Sequence, residues 1–229
     1  MNNIIIIGTS STAEVILHFI NRYSLYNVLG FAVDRKYKDK DSFFGLPVFC
    51  IEELDFVMDK NIDFLFVAMQ WNNLNSDRKN VYLQLKKEGY KFANLISPTA
   101  LINGNIVGEN CWIADNVVVD YGATIADNVF IKVGASVLEN VKVEKHCFIG
   151  GRSLIGGAAI IGEQSFVGLS AVIFDKVVVG RKCIVGACTA LKRNLDDFSI
   201  IKTSMENNII TQYSEDIIES KLQFQKNIR

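Results

Sequence analysis

The apolar positions between residues 101 and 191 recur at every sixth residue. Stepping by six from Leu101 meets only Leu, Ile or Val, and four places after most of them comes a small or branched residue. The aliphatic positions are Leu101, Val107, Ile113, Val119, Ile125, Ile131, Val137, Val143, Ile149, Ile155, Ile161, Val167, Ile173, Val179, Val185 and Leu191. Neither a helix nor an alternating strand has this period. A short strand followed by a corner does, and three such units close one triangular turn of a parallel β-helix.

The other residues of each repeat fit the same architecture. Gly, Asp and Asn cluster at the expected corners, as in "IADN" and "LEN", because corners favour left-handed backbone conformations. Cys111, Cys147 and Cys183 are 36 residues apart, which is two coils, so they are expected to stack as small buried residues. No long loop interrupts the repeats. An active site is therefore expected on coil faces and corners between subunits, and neutral faces favour a closed oligomer.

The first ninety residues alternate between strand and helix patterns. Strands are predicted in "NIIIIG", "NVLGFAV", "DFLFVAM" and "KFANLI", and helices in "STAEVILHFINRY", "IEELDFVMDK" and "SDRKNVYLQLKKEGY". This alternation predicts a small parallel α/β sheet. After the repeats, Met205, Ile209, Tyr213 and Ile217 follow i+4 spacing, which predicts an amphipathic helix covering the open last coil. The predicted parts are residues 1–94, 95–198 and 199–229.

Composition and charge exclude several classes of function. The net charge of −1 argues against nucleic acid or an anionic membrane as the main partner. The apolar run at the start is too short to span a membrane and has no basic flank, so a cytoplasmic protein is expected. Five cysteines without a C-x-x-C pair give no metal framework, and no metal is expected.

The first predicted strand leads through one glycine into Ser10, Ser11 and Thr12 at a helix start. Backbone N–H groups and hydroxyls there form an anion site, although the same residues are also ordinary helix caps. The dinucleotide fingerprint G-x-G-x-x-G is absent, which disfavours NAD. Asp34 ends the second strand, where such sheets bind a ribose or base. The segment 70–72 follows the next predicted strand and either lines this crevice or forms a polar loop.

A small α/β domain, the stretch "FANLISPTALI" and hexapeptide repeats together resemble the bacterial sugar acyltransferases of the PglD/NeuD type. The resemblance covers nearly the whole chain except the tail. It implies a Rossmann-like α/β domain, a left-handed parallel β-helix and a C-terminal helix. It also implies a homotrimer that transfers an acetyl or similar acyl group from acetyl-CoA to a nucleotide-linked sugar, for surface glycan or lipopolysaccharide synthesis. It strengthens the assignment of Ser10, Ser11, Thr12 and Asp34 to the nucleotide sugar, although the Gly-His pair common in the family is Ser11-Thr12 here.

The resemblance also suggests where the acyl donor binds. The family's donor contacts fall on "FVGL" and "IVGA", hence on Gly168, Leu169, Gly186 and Ala187, in a groove between neighbouring subunits. A second family histidine falls on Phe148, which is the fifth residue expected to contact the donor. Corner positions need small residues in any case, so the pattern alone does not separate a binding role from a structural one. Lys192 and Arg193 are candidates for the CoA phosphates or for a solvated basic pair.

The chain departs from the resemblance at the catalytic base. The family's histidine and following acid fall on Glu139 and Asn140. Only two histidines exist: His18, in the first helix, and His146, at a corner on another edge, from which it would have to act on a neighbouring subunit. Three accounts remain open: Glu139 is the general base, a neutral amine attacks unaided, or the chain binds a sugar nucleotide without turnover.

An amine acceptor is preferred, because a hydroxyl depends more on a strong base. The expected activity is therefore acetyl-CoA-dependent N-acylation of a nucleotide-linked amino sugar. The alternatives are a sugar O-acetyltransferase and a catalytically silent nucleotide-sugar-binding homologue. A nucleotidyltransferase also carries such a β-helix, but its larger Gly-rich nucleotide domain is missing from the first hundred residues.

Overall fold

The computed structural model describes residues 2–203 and 208–220 of the 229-residue chain. The chain begins with a five-stranded sheet flanked by helices. Its strands and α-helices are β1 (Asn3–Ile7), α1 (Ser11–Tyr23), β2 (Asn27–Val33), β3 (Ser42–Phe43), β4 (Leu46–Cys50), β5 (Phe64–Val67) and α2 (Ser76–Lys87). The strand order is β3-β4-β2-β1-β5, and all neighbours are parallel except β3 and β4. The predicted parallel α/β sheet is confirmed.

Three local predictions in this sheet differ from the structure. The last predicted strand, "KFANLI", meets the sheet only at an isolated bridge between Phe92 and Leu65, and its final two residues pair with the prism instead. The segment expected to be helical over 51–60 forms only a single 3₁₀ helix, Ile51–Phe56. The β3–β4 hairpin was not predicted, because Pro47 and a turn at Phe44-Gly45 interrupt the alternating pattern of "SFFGLPVFC". Phe44 and Gly45 both have positive φ, which a tight hairpin turn requires.

The hexapeptide region forms a triangular prism of two-residue strands. We call its three sheets face 1, face 2 and face 3. Face 1 contains β6 (Leu95–Ile96), β9 (Trp112–Ile113), β12 (Phe130–Ile131), β15 (Phe148–Ile149), β18 (Phe166–Val167) and β21 (Ile184–Val185). Face 2 contains β7 (Leu101–Ile102), β10 (Val118–Val119), β13 (Ser136–Val137), β16 (Leu154–Ile155), β19 (Val172–Ile173) and β22 (Ala190–Leu191). Face 3 contains β8 (Asn105–Ile106), β11 (Thr124–Ile125), β14 (Lys142–Val143), β17 (Ile160–Ile161) and β20 (Val178–Val179).

The six-residue period fills the interior of this prism. Strands on one face pair in parallel with partners 18 residues apart, as Val119 does with Val137, so three hexads make one coil. The aliphatic positions from Ile113 to Leu191 are almost completely buried, as are the cysteines at 111, 147 and 183. Burial raises the pKa of the Cys111 and Cys147 thiols to about 12, so these thiols stay protonated packing groups.

The first coil departs from the period. Leu101 and Val107, expected inside, are 56% and 68% exposed. Their neighbours Ile102 and Ile106 take the inward positions and pair with Val119 and Ile125. The reason is a shortened corner, because only four residue steps separate the two inward isoleucines there instead of six.

One residue at each regular corner takes the left-handed conformation. Twelve of these residues are not glycine, and four of them are the expected asparagines at 110, 116, 128 and 140. Asparagine tolerates this backbone better than other residues with a Cβ. The corner residues stack at 18-residue intervals along the three edges of the prism. His146 therefore shares an edge with Asn128 and Gln164, while Glu139 and Asn140 lie on another edge.

The α/β part packs against face 1 through aromatic rings. Phe66 of β5 stacks on Phe130 at 5.6 Å, and Trp71 packs edge-on against Phe148 at 4.6 Å between ring centroids. Phe19 of α1 packs against Trp112 in the same manner. Aromatic pairs of this kind add to the free energy gained from burial, so the two parts share one hydrophobic core.

The tail is only partly helical. The predicted amphipathic helix is wrong over β24 (Asn208–Gln212), which pairs antiparallel with β23 (Ser199–Thr203). Strand β23 extends face 1 beside β21. Strand pairing outweighs the i+4 pattern, because the edge of β23 offers unpaired backbone groups to β24. The helix α3 (Glu215–Ser220) follows, and Ile218 packs against Leu74 and Ile184 at the side of the prism. Met205, which began the i+4 pattern, lies outside the described residues.

Within the described ranges, no helix is both long and apolar enough to cross a membrane.

Candidate active site

A groove of about 430 Å³ lies where face 1 turns the corner into face 2. One wall is aromatic, formed by Trp71, Phe148 and Phe166, and the corner opposite carries Leu169 and Ala187. Four of the five residues expected to contact the donor therefore line one cavity: Phe148, Gly168, Leu169 and Ala187. Gly186 is the chain neighbour of Ala187 and is not among the lining residues.

Gly150 and Gly168 form the floor of the groove. Gly150, Gly168 and Gly186 occupy the same place in successive coils, 18 residues apart. A Cβ at Gly168 would lie 2.5 Å from the backbone N of Ala187, so the close approach of the coils itself requires glycine. The same requirement leaves the groove floor free of side chains. A thin, extended ligand could therefore lie directly against the backbone.

Arg78 of α2 holds the loop that carries Trp71. Its guanidinium is completely buried and donates to the carbonyl oxygens of Met69 and Gln70 and to Asn128 Oδ1. It also lies 4.1 Å from the Phe130 ring centroid. Burial lowers the pKa of Arg78 to about 9. Arg78 thus ties the aromatic wall of the groove to the prism.

The residues expected to bind the nucleotide lie at the carboxyl edge of the sheet. Ser10, Ser11 and Thr12 begin α1 after β1, and Asp34 follows β2, the parallel neighbour of β1. The Ser10 side chain makes no capping hydrogen bond, while Thr12 is buried. The Asp34 carboxylate faces the Lys36 amine at 3.7 Å. Strand β5, the other neighbour of β1, leads directly to Gln70 and Trp71. The loop over 70–72 therefore links this edge of the sheet to the groove.

Glu139 and Asn140 lie away from the groove of their own chain. They form an exposed corner between faces 2 and 3, whereas the groove lies between faces 1 and 2. The Glu139 carboxylate lies over Gly157 of the next coil, 2.5 Å from where a Cβ would be. A second copy of the chain would have to bring this corner to a groove.

His146 is not available to a neighbouring subunit, which corrects that expectation. It is 2% exposed, and its Nδ1 accepts a hydrogen bond from Asn128 Nδ2 at 2.9 Å. Burial lowers its pKa to about 4, and the nearby charges of Lys79 and Arg78 act in the same direction. His146 is a neutral packing residue beneath α2. The other histidine, His18, is exposed on α1 and packs edge-on against Phe44.

A second cavity of about 310 Å³ lies between α1 and the prism. His18 and Arg22 line it from α1, and Trp112, Asp115 and Lys132 line it from the prism. Lys132 also lines the groove, so it belongs to both cavities. Sequence reasoning missed this residue. The signal was present, because Lys132 stands 18 residues before Gly150 and is the one charged residue in the column that Gly150, Gly168 and Gly186 continue.

Lys192 and Arg193, which are candidates for the CoA phosphates or for a solvated basic pair, are exposed after the last strand of face 2 and do not line the groove. In the described part of the chain, no three His, Cys, Asp or Glu side chains are grouped so that they could hold a metal ion.

A prism of hexapeptide coils that carries a small parallel α/β sheet on one face defines the structural class of left-handed β-helix proteins with an α/β domain. The model of the GMPPB C-terminal domain family matches residues 95–210, which is 116 of the 229 residues. The chain belongs to this family. A comparison with curated protein sequences found no match.

Solved structures share the fold over nearly the whole chain. A perosamine N-acetyltransferase from Caulobacter crescentus, in complex with CoA and GDP-perosamine, aligns with a TM-score of 0.81 at 23% identity, covering 93% of this chain and 98% of that one. The acetyltransferase domain of PglB from Neisseria gonorrhoeae aligns with a TM-score of 0.76 at 20% identity, covering 88% and 96%. WeeI from Acinetobacter baumannii aligns with a TM-score of 0.53 at 16% identity, covering 91% and 99%. The fold implied by the resemblance to sugar acyltransferases is thereby confirmed.

Proposed function

We propose that the protein transfers an acyl group from acyl-CoA, with acetyl-CoA as the first candidate, to the amino group of a nucleotide-linked sugar. The observation that carries this proposal is the groove beside face 1. Its aromatic wall and glycine floor suit a pantetheine arm, whose amides can bond to exposed backbone while its apolar segments contact Trp71 and Phe148. Four donor-contact positions implied by the resemblance line this one cavity.

The α/β part is the proposed site of the nucleotide. The start of α1 offers the N–H groups and hydroxyls of Ser10, Ser11 and Thr12 to a diphosphate. Asp34 stands at the end of the neighbouring strand, where a carboxylate accepts hydrogen bonds from a ribose or base. Because the loop over 70–72 joins this edge to the groove, a sugar attached to the diphosphate can extend toward the thioester.

The ligands of the solved relatives support this division. The perosamine N-acetyltransferase contains both CoA and GDP-perosamine, and the PglB acetyltransferase domain also has a complex with acetyl coenzyme A. One ligand is a thioester carrier, and the other is a nucleotide-linked amino sugar. This pair matches the two binding regions argued above. A cytoplasmic role in surface glycan synthesis is part of the same proposal.

The proposed active unit is a homotrimer. Faces 2 and 3 carry no packed domain in the described structure, and their outward positions are mostly apolar or neutral, including Leu154, Val172 and Val178. Packing these faces around a threefold axis would bury them. It would also bring the corner with Glu139 and Asn140 to the groove of a neighbouring chain, where they would contact the acceptor.

Turnover is the direct test of the proposed function. The wild-type protein, acetyl-CoA and a panel of nucleotide-linked 4-amino and 3-amino sugars should release CoA thiol, with a gain of one acetyl group in the mass of the sugar. A hydroxyl-only panel should give a slower reaction, because a hydroxyl needs proton removal before attack. Acetylation of the hydroxyl panel alone would indicate an O-acetyltransferase. Binding of both ligands without thiol release would indicate the silent homologue.

A further inference from the structure

Lys132 occupies the boundary between the groove and the second cavity. Among the residues that the structure describes, only Lys132 and its neighbour Val133 line both spaces. In the next coils the same position is glycine, at 150, 168 and 186, so the lysine stands at one end of the glycine floor. An amine at this place is within the donor groove and also open to the space beneath α1.

The Lys132 amine has no acidic partner in the described part of the chain. Its Nζ lies 3.3 Å from the Trp112 ring centroid, and it makes neither a salt bridge nor a hydrogen bond there. Two other lysines near the domain boundary are paired at 2.6 Å, Lys79 with Glu163 and Lys86 with Glu109. An unpaired, mostly buried amine beside a ligand-sized groove has no evident structural task.

The surrounding charges favour the neutral amine. Burial lowers the pKa of Lys132 to about 7, and the positive charge of Arg78 on α2 acts in the same direction. His18 and Arg22 face the shared cavity from α1. The one carboxylate that lines it, Asp115, already accepts hydrogen bonds from Arg22, the Tyr23 hydroxyl and the Ser97 hydroxyl. It is therefore not free to hold a lysine ammonium.

We propose that Lys132 is the general base of the acyl transfer, in place of the histidine that this chain lacks at residue 139. The inference rests on the proposed function. The acceptor nitrogen attacks the thioester carbonyl carbon, a C–N bond forms and the C–S bond breaks. The proton lost by that nitrogen passes to Lys132 Nζ and then to the CoA thiolate, which leaves as a thiol. A base that titrates near the working pH suits this proton transfer.

The test compares Lys132→Met and Lys132→Arg with the wild type in the thiol-release assay between pH 5.5 and 9. Lys60→Met is the matched control, because Lys60 also lies on an aromatic ring, 4.2 Å from Tyr90, but pairs with Asp55. The wild-type kcat should rise with pH through an inflection near 7. Lys132→Met should lower kcat by roughly 10²–10⁴ and abolish the inflection. CoA affinity by calorimetry should change less than about threefold, and the control should match the wild type.

Lys132→Arg separates proton acceptance from charge. A guanidinium stays protonated in this pH range, so this variant should be as slow as Lys132→Met. Near-wild-type activity of Lys132→Arg would show that the charge matters, and would overturn the role as a base. An unchanged kcat in Lys132→Met would do the same. If the wild type releases no thiol with any pair of substrates, the proposed function itself fails, and the role of Lys132 fails with it.

Discussion

At the scale of residues, the residue type at each repeat position predicted which side chains are buried. It did not predict which side chains reach a cavity. The interior positions follow from the period, because each inward side chain must fill one layer of the prism. The positions of His146 and Lys132 did not follow from it. Both residues belong to the same repeats, but α2 covers His146, while two cavities meet at Lys132. That difference arises from where the α/β part docks, which no local pattern contains.

His146 makes the stability of the protein depend on acidity. Its pKa is about 4 when folded and 6.5 in the unfolded reference, so between these values only the unfolded chain takes up the proton. The free energy of unfolding should therefore fall as the pH drops from 6.5 to 4, with about 3 kcal/mol of this fall due to His146. Urea titrations of His146→Asn should show a shallower fall, because an amide can accept the Asn128 bond without titrating.

The matched control is His18→Asn, since His18 is exposed and is the only other histidine. It should retain the wild-type pH dependence. Equal profiles for His146→Asn and the wild type would contradict the buried neutral state of His146.

Glu139→Gln distinguishes the two candidate bases. If Lys132 takes the proton, this change should lower kcat less than about tenfold, because only a contact to the acceptor is altered. A loss of roughly 10²–10⁴ in the thiol-release assay, with unchanged CoA affinity, would assign the proton transfer to Glu139 instead.

At the scale of elements, the sequence predicted helices and strands where a single hydrophobic pattern was strong. It failed where a local pattern competes with strand pairing from elsewhere in the chain. The segments predicted for α1 and β2 agree with the structure at both ends. The tail shows the opposite case, because Ile209 fits a helical period and nevertheless lies in β24. Strand pairing with β23 is a tertiary interaction that outweighs an i+4 pattern. The corner at Asn103-Gly104 is similar, since its shortened length is visible only in the pairing register.

Arg78 is the central contact between α2, the loop over 70–72 and the prism. Arg78→Met should leave several buried carbonyl groups without donors and lower the free energy of unfolding by about 3 kcal/mol, measured by urea titration. Under native conditions the tryptophan emission should also change, because Trp71 loses its anchored loop. Arg193→Met, at an exposed site, should change stability by less than about 0.5 kcal/mol. Equal stability of the two variants would refute the role of Arg78.

At the scale of the whole molecule, the nucleotide sugar and CoA are proposed to bind to two different parts of the chain. Asp34→Ala should weaken nucleotide-sugar binding about tenfold through the loss of a hydrogen-bonded carboxylate, and leave CoA binding within about twofold. Asp39→Ala is the control, since Asp39 is an exposed carboxylate nearby. Calorimetry with both ligands would contradict the division if Asp34→Ala weakened them equally.

The trimer is the second prediction at this scale. Light scattering should give three times the mass of one chain, and Leu154→Asp on face 2 should shift this mass toward the monomer, because a charge on an apolar interface is costly. Leu83→Asp, on the exposed side of α2, should leave the mass unchanged. A monomeric wild type at micromolar concentration would exclude both the trimer and a site shared between chains.

The most direct measurement of the central claim, that the groove beside face 1 holds an acyl-CoA, is calorimetric titration of CoA into the wild type and Ala187→Trp. Ala187 lines the groove at an exposed corner, so an indole there should fill the space without disturbing the core. We expect saturable binding to the wild type and at least a tenfold weaker affinity for the variant. Val107→Trp, an exposed site outside the groove, should bind as the wild type does. Equal CoA affinity in Ala187→Trp and the wild type would contradict the account.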